Sequence, residues 1–179
     1  MPVHIALLRG INVGGNNKIP MAELRSLCAE IGWEKAETYI QSGNVVFEAA
    51  GAAAQLEAAL EKAIESRFGI SISVIVRSGK DWPAYIAANP FPEAAEEEPN
   101  RLMLGLSKSP PNEDAADLLQ ERAKDGEQVR LAGGALWIHF PGGSGTSKLS
   151  LALIDRLAGS PVTTRNWRTL LKLRDMLAE

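Results

Sequence analysis

The 179-residue sequence is poor in the residues that mark several large classes of protein. Its one cysteine, Cys28, excludes an internal disulfide and leaves too few thiolates for a cysteine-based zinc site. Uninterrupted apolar runs reach only about six residues, whereas a membrane-spanning helix needs about 20, and the N-terminus lacks the pattern of a signal peptide. We therefore expect a cytoplasmic protein that makes no membrane contact.

Basic residues are slightly fewer than acidic residues, 19 against 22, and they are unevenly distributed along the chain. A net charge of −3 and a pI near 5.5 disfavour a dedicated duplex-binding protein, which normally has an excess of Lys and Arg. Three stretches without Asp or Glu, residues 8–20, 133–150 and 159–174, together carry +7, and since the total is −3 the rest of the chain carries −10. If folding gathers these stretches, they form a positive patch on an acidic protein.

The hydrophobic pattern predicts the same order of elements, strand, helix, strand, strand, helix, strand, in both halves of the chain. This is the order of a ferredoxin-like unit, so we predict an α+β fold of two ferredoxin-like subdomains followed by a C-terminal helix. Repeated prolines and an acidic run indicate a linker at residues 89–99, between subdomains at 1–88 and 100–179. The predicted strands are at 3–8, 70–76, 101–106 and 161–164, and the predicted hairpins are at 38–47 and 127–140. The predicted helices are at 20–31, 51–67, 112–124, 148–157 and 166–177, with a further short helix that Asp81 caps and that ends before Asn89.

The long connection from Leu8 to Pro20 is the first candidate for a binding site. Long ordered loops commonly bind ligands, and glycines let backbone N–H groups approach an anion. The role of Arg9 stays open, since its side chain either points into a cleft or braces the loop. The role of the Ser-Gly-Asn sequence in the first hairpin also stays open, since these residues either contact a base or sugar or form a tight turn. The candidate ligand contacts here are Arg9, Asn12, Gly14, Gly15, Lys18, Gln41, Ser42 and Asn44.

A glycine-rich segment at residues 142–148 lies between a predicted strand and a predicted helix, where backbone N–H groups can cradle an anion. It resembles a phosphate loop only loosely, because Ser147 precedes Lys148 and Leu149 follows it. The alternative is a flexible turn in which Thr146 or Ser147 caps the helix. The candidate contacts here are Gly142, Gly145, Ser147 and Lys148.

The start of the last helix supplies the remaining candidates, Thr164, Arg165 and Asn166. We predict a threonine cap followed by Arg165 and Arg168 in the first turn. A cation beside a helix N-terminus is unfavourable unless an anion or an acidic side chain compensates it. Arg165 therefore either binds an anionic ligand or forms an ion pair with an acid such as Asp155.

The sequence contains no pattern for a metal site, a catalytic triad or a cofactor, so no catalytic residue is assigned, no metal or cofactor is expected, and enzymatic activity stays open. His4 and His139 lie in strand-like runs, and we interpret both as structural, with a general-base role for His139 as the alternative. The four tryptophans fit packing better than stacking on single-stranded nucleic acid.

Four segments together resemble one bacterial family, domain of unknown function family 1697. They are Leu8 to Gly15, Thr38 to Phe47, Pro141-Gly142 with Ser147 to Leu149, and Thr163 to Thr169. The resemblance extends over nearly the whole chain and implies an α+β fold of two subdomains. It implies neither an activity nor a catalytic residue, because the family has no established biochemical role.

These observations favour a protein that binds a phosphorylated or otherwise anionic small molecule, such as a nucleotide-related compound, in a cleft between two subdomains. Backbone amides of both glycine loops would contribute with Lys18, Lys148, Arg9 and Arg165, and Gln41, Asn12, Asn44 and Asn166 would orient the ligand. One alternative is a nucleic-acid-binding module that uses the same basic residues. Another is a structural or protein-interaction domain without a ligand, and the oligomeric state stays open.

Overall fold

The strand predicted at residues 3–8 is β1 (Val3–Leu8), which lies inside a four-stranded antiparallel sheet in the computed structural model of residues 1–178. The other strands are β2 (Glu34–Tyr39), β3 (Asn44–Glu48) and β4 (Val74–Ser78), and the order across the sheet is β2-β3-β1-β4. Both faces of β1 are buried, with Ile5 on one side and Ala6 on the other, as the continuous apolar run predicts.

Helices α1 (Met21–Glu30) and α2 (Ala53–Phe68) pack on one face of this sheet, close to their predicted positions. Leu24 of α1 and Leu60 of α2 are fully buried in a core with the alternate strand residues Ala6 and Val76. Cys28 lies in this core too, where burial raises the pKa of its thiol to about 12, so it packs as an apolar side chain.

Two short helices follow the first sheet, α3 (Trp82–Ala87) and α4 (Pro92–Glu97). Helix α4 occupies part of the segment predicted as a linker, residues 89–99, and Pro92 stands at its start. The Asn89 side chain accepts a hydrogen bond from the Phe91 amide at 2.8 Å, which orders the approach to α4. The segment predicted as a linker from its prolines and acidic residues therefore contains a short helix.

The second sheet repeats the topology of the first. Its strands are β5 (Leu102–Ser107), β6 (Gln128–Ala132), β7 (Ala135–His139) and β8 (Val162–Asn166), in the antiparallel order β6-β7-β5-β8. Helices α5 (Ala115–Arg122) and α6 (Leu151–Ala158) supply Leu119 and Ile154 to its core. The predicted α+β fold with two ferredoxin-like subdomains is thereby confirmed.

Helix α7 (Trp167–Leu177) is the predicted C-terminal helix. The chain divides into unit 1, residues 1–82 with the described residues from Leu173 onward, and unit 2, residues 83–172. None of the helices formed by residues 1–178 combines the length and the apolar character needed to cross a bilayer.

The first hairpin begins earlier than predicted, because β2 starts at Glu34. The strand predicted at residues 70–76 begins later, because β4 starts only at Val74. Ile70 and Ile72 are half-buried against the first core instead, so their alternation reflects packing of an extended segment. The strand predicted at 161–164 shifts in the same direction, since β8 begins at Val162 and continues through Asn166.

Candidate functional site

The loop between β1 and α1 is a folded hairpin-like structure. Gly14 and Gly15 have φ of +58° and +80°, which are the dihedral signs that a two-residue I′ turn requires. The Asn16 amide donates to the Val13 carbonyl at 2.9 Å, and the Asn12 amide donates to the Asn17 carbonyl at 3.1 Å. The glycines predicted for ligand approach are thus placed at an ordered tip, where both are exposed.

Asn12 ties this loop to the hairpin between β2 and β3. Its side-chain Nδ2 donates to the carbonyls of Ile19 at 3.0 Å and Gln41 at 2.8 Å, and its Oδ1 accepts from the Ile19 amide at 2.8 Å. Asn12 itself has a φ of +55°, a conformation that asparagine tolerates better than most residues. Two stretches 29 residues apart are therefore held together by one side chain.

A pocket of about 460 Å³ in unit 1 lies beside this contact. Among the residues that the structure describes around it there is neither Asp nor Glu, and its one ionised side chain is the exposed Lys18. The pocket is lined by Asn12, Gly15, Lys18, Pro20, Met21 and Gln41. Four of the predicted ligand contacts thus come together in one place.

The other candidates near this loop have different surroundings. Asn44 is fully buried, and its Nδ2 donates to the Tyr39 carbonyl at 2.8 Å and to Ser42 Oγ at 3.0 Å, which shapes the hairpin turn. Gly43 within that turn has a φ of +87°, and a Cβ there would come within 2.7 Å of the Ile11 side chain. Arg9 is half-buried, and its backbone amide donates to the Ser73 carbonyl at 3.0 Å.

The glycine-rich segment at residues 142–148 does not lead directly into a helix. A single 3₁₀ turn covers Ser144–Thr146, and α6 begins later, capped by Ser150, whose Oγ accepts from the Leu153 amide at 3.2 Å. The alternative interpretation, in which Thr146 or Ser147 caps the helix, is therefore wrong about the cap. Gly142, Gly145 and Lys148 are exposed in this segment.

Ser147 is held by a buried carboxylate. Its hydroxyl donates to Glu127, which is only 3% exposed and also accepts from the Asp125 amide at 2.7 Å. Burial acts to raise the pKa of the Glu127 carboxyl, but hydrogen bonds from Ser147 and from backbone amides outweigh it and leave that pKa below its ordinary value. The candidate Ser147 is therefore part of the fold of unit 2.

Arg165 lies in a strand and not in a helix, which corrects the predicted start of α7. It pairs with Leu104 in the sheet and is 7% exposed, and its Nη1 donates to Thr163 Oγ1 at 2.6 Å and to the Thr164 carbonyl at 2.9 Å. Burial lowers the pKa of Arg165 to about 10, so its guanidinium is still charged at neutral pH.

The cap of α7 is Asn166, whose Oδ1 accepts from the Thr169 amide at 3.0 Å. The proposed partner of Arg165, Asp155, uses its Oδ1 to accept from the Val162 amide at 2.8 Å. The predicted threonine cap is wrong because Thr163 and Thr164 belong to β8. The helix still begins with one cation, since the exposed Arg168 lies in its first turn.

A second pocket, of about 350 Å³ in unit 2, was not predicted from the sequence. His139 Nε2 lies 3.1 Å from Glu98 Oε1, and Glu98 also pairs with Arg101 at 3.2 Å. An imidazole beside a carboxylate can accept and release a proton. Glu98 is therefore the carboxylate that a general-base role of His139 would need. His139 and Glu98 are 41 residues apart, so no local pattern could have indicated their contact.

Metal and cofactor sites were expected to be absent. Within residues 1–178, no group of three or more His, Cys, Asp or Glu side chains is arranged to hold a metal ion. The unit 1 pocket offers hydrogen bonds and one lysine, and the unit 2 pocket offers three glutamates beside the imidazole of His139.

Comparison with known proteins identifies the family. A family model described as "Protein of unknown function (DUF1697)" matches residues 1–137, about three quarters of the chain. The chain belongs to this family. The matched residues include the whole unit 1 pocket and end before the glycine-rich segment at 142–148.

This DUF1697 protein is also similar to a solved structure. The conserved bacterial protein SP0830 from Streptococcus pneumoniae is 27% identical in sequence, with 100% of this chain and 99% of that chain covered and a TM-score of 0.72. Its similarity extends over both units and supports the two-subdomain architecture. None of the curated proteins matches the chain.

Proposed function

We propose that unit 1 binds a phosphorylated or otherwise anionic small molecule in the pocket beside the Gly14-Gly15 turn. The observation that carries this proposal is the meeting of Lys18, Gly15 and Gln41 around one open pocket without an acidic lining residue among those described. The ligand is of the size of a sugar phosphate or a nucleotide. A volume of about 460 Å³ lies in the range of small-molecule sites.

Each part of the pocket suits one part of such a ligand. The Lys18 ammonium supplies charge attraction to a phosphate, and exposed glycine amides at a turn can donate hydrogen bonds to its oxygens. The exposed Gln41 side chain can donate and accept hydrogen bonds with hydroxyl or base groups. Pro20 and Met21 provide an apolar wall for the uncharged part of the molecule.

The test compares ligand-induced thermal stabilisation of the wild type with that of Lys18→Gln. Inorganic phosphate, ribose 5-phosphate and AMP are the probes, and ribose and adenosine are their uncharged counterparts. We expect at least one phosphorylated probe to raise the Tm of the wild type, because a ligand that binds only the native state stabilises it. Lys18→Gln should lose most of this shift.

Lys62→Gln is the matched control, because Lys62 is an exposed lysine on α2 that does not line the pocket. An equal shift in both variants would contradict the proposal. So would binding of a single-stranded oligonucleotide with a steep salt dependence and no binding of a mononucleotide, since that combination indicates several phosphate contacts along a strand.

A further inference from the structure

The four edge strands of the two sheets are not protected equally. An open strand edge can accept another chain, and proteins usually block it with charges, bulges or side-chain hydrogen bonds. In β2, the pairing is irregular between Glu34 and Glu37, and Lys35 has a φ of +53°. In β4, the amides of Val74 and Val76 donate to Glu61 and Glu57, each at 2.9 Å.

The edges of unit 2 are covered to different extents. In β8, the Val162 amide donates to Asp155. In β6, the Gln120 side chain donates to the Glu127 carbonyl at 2.8 Å and accepts from the Val129 amide at 2.8 Å. The Gln120 amide group thus makes the two hydrogen bonds that a neighbouring strand would make, but only at the beginning of β6.

The second half of β6 directs backbone groups away from the sheet. The two-residue turn at Gly133-Gly134, with φ of +61° and +77°, makes Ala132 and Ala135 a hydrogen-bonded pair. Because such pairs alternate along an antiparallel ladder, Leu131 points its N–H and C=O to the outer edge. No strand within residues 1–178 pairs with that edge, and the Leu131 side chain is 37% exposed.

A groove of about 400 Å³ runs between this edge and helix α5. Its two acids are both exposed, and Glu113 lies just before α5 while Asp117 lies within it. The one cation of the groove, Arg130, has its guanidinium carbon 5.6 Å from the centre of the Phe91 ring. The full lining is Glu113, Ala116, Asp117, Gln120, Val129, Arg130 and Leu131.

We propose that an extended, basic peptide segment of a partner protein adds to β6 as a fifth strand of this sheet. Strand addition takes its affinity from main-chain hydrogen bonds and its specificity from alternate side chains. The outward backbone of Leu131 supplies the hydrogen bonds, and its side chain supplies an apolar contact. Lysine or arginine side chains of the peptide meet Glu113 and Asp117, which is the charge complementarity that selects this partner.

Fluorescence anisotropy tests the proposal with a labelled peptide of alternating lysine and valine, and a glutamate–valine peptide serves as the acidic counterpart. We expect only the basic peptide to bind. A version of it that is N-methylated at every second residue, prepared once on the valines and once on the lysines, should bind about tenfold more weakly in the one of the two forms whose methylated amides face β6. Binding of both methylated forms equal to that of the unmethylated peptide would overturn strand addition.

Variants of the protein separate charge from backbone contacts. The double variant Glu113→Gln, Asp117→Asn should weaken binding about tenfold, as the loss of two partly screened ion pairs predicts. Glu121→Gln is the control, since Glu121 is an exposed acid of α5 outside the groove. Equal affinity of the double variant and the control would overturn the assigned charge contacts.

The exposed side chain of the strand offers a third test. Leu131→Ser should weaken peptide binding, whereas Leu151→Ser should not, because Leu151 is equally exposed but lies on α6. The oligomeric states of the wild type and of Leu131→Ser are measured alongside by analytical ultracentrifugation. A concentration-dependent dimer that Leu131→Ser abolishes would show that a second copy of this chain occupies the edge, and would overturn the peptide assignment.

Discussion

At the scale of single residues, asparagines of this protein hold turns and helix ends. Asn12 and Asn44 hydrogen-bond backbone carbonyls, and Asn166 caps α7. Asparagine beside glycine is equally typical of a turn and of a ligand contact, so the sequence alone left both meanings open. The partner that distinguishes them for Asn12 is the Gln41 carbonyl, which only the folded chain brings near.

The lowered pKa of Glu127 predicts that stability depends on pH. A carboxyl whose folded pKa is lowered contributes stability above its unfolded pKa, about 4.3, and loses that contribution as the pH falls through the folded value. We expect the unfolding free energy of the wild type to fall more steeply between neutral and acidic pH than that of Glu127→Gln, because only the wild type has this carboxyl.

Urea unfolding at a series of pH values measures this difference. Glu121→Gln is the control for removing one acid from the surface of the same unit. If Glu127→Gln and Glu121→Gln follow the same pH dependence, the hydrogen bonds of Glu127 do not stabilise its ionised form.

At the scale of elements, the periodicity of apolar residues predicted nearly every helix and strand. One error is α4, which lies in the segment predicted as a linker. Other errors fall where one local sequence suits two structures. Thr163 to Asn166 fits a helix cap and a strand equally well, and pairing with β5 decides for the strand. The start of β4 is likewise decided by tertiary contacts. The strand begins at Val74, and its Val74 and Val76 amides donate hydrogen bonds to glutamates of α2 at the outer edge of the sheet.

The hydrogen bonds between glutamates of α2 and backbone amides of β4 give a prediction for stability. Glu57 is 6% exposed and accepts a hydrogen bond from the Val76 amide at 2.9 Å. Glu57→Ala leaves that amide without its acceptor, which should lower the free energy of unfolding by about 1–3 kcal/mol. Glu57→Gln keeps an acceptor oxygen and should lose less.

Chemical denaturation checks these values, with Glu65→Ala as the control, because Glu65 is an exposed acid on the same helix. A surface substitution of this kind changes stability by about 0.5 kcal/mol or less. A Glu57→Ala protein as stable as Glu65→Ala would show that the edge hydrogen bond contributes nothing.

At the scale of the whole molecule, the sequence predicted two similar subdomains, and the structure has two units with the same strand order. The candidate binding residues are divided between them. Unit 1 collects four of these residues around one pocket, whereas Ser147 and Arg165 of unit 2 are engaged in internal hydrogen bonds. Charge counting along the chain could not make this distinction, because it does not show which polar groups already have partners.

The proposed function requires a phosphorylated ligand to bind beside the Gly14-Gly15 turn of unit 1. The decisive measurement is a ¹H–¹⁵N NMR titration of the ¹⁵N-labelled protein with inorganic phosphate, ribose 5-phosphate and AMP. We predict that at least one of them shifts the amide resonances of Gly15, Lys18 and Gln41 in a saturable way, while those of Gly142 and Gly145 stay unchanged. Saturable shifts confined to residues 142–148, or no saturable shifts with any of the three, would contradict binding in the unit 1 pocket.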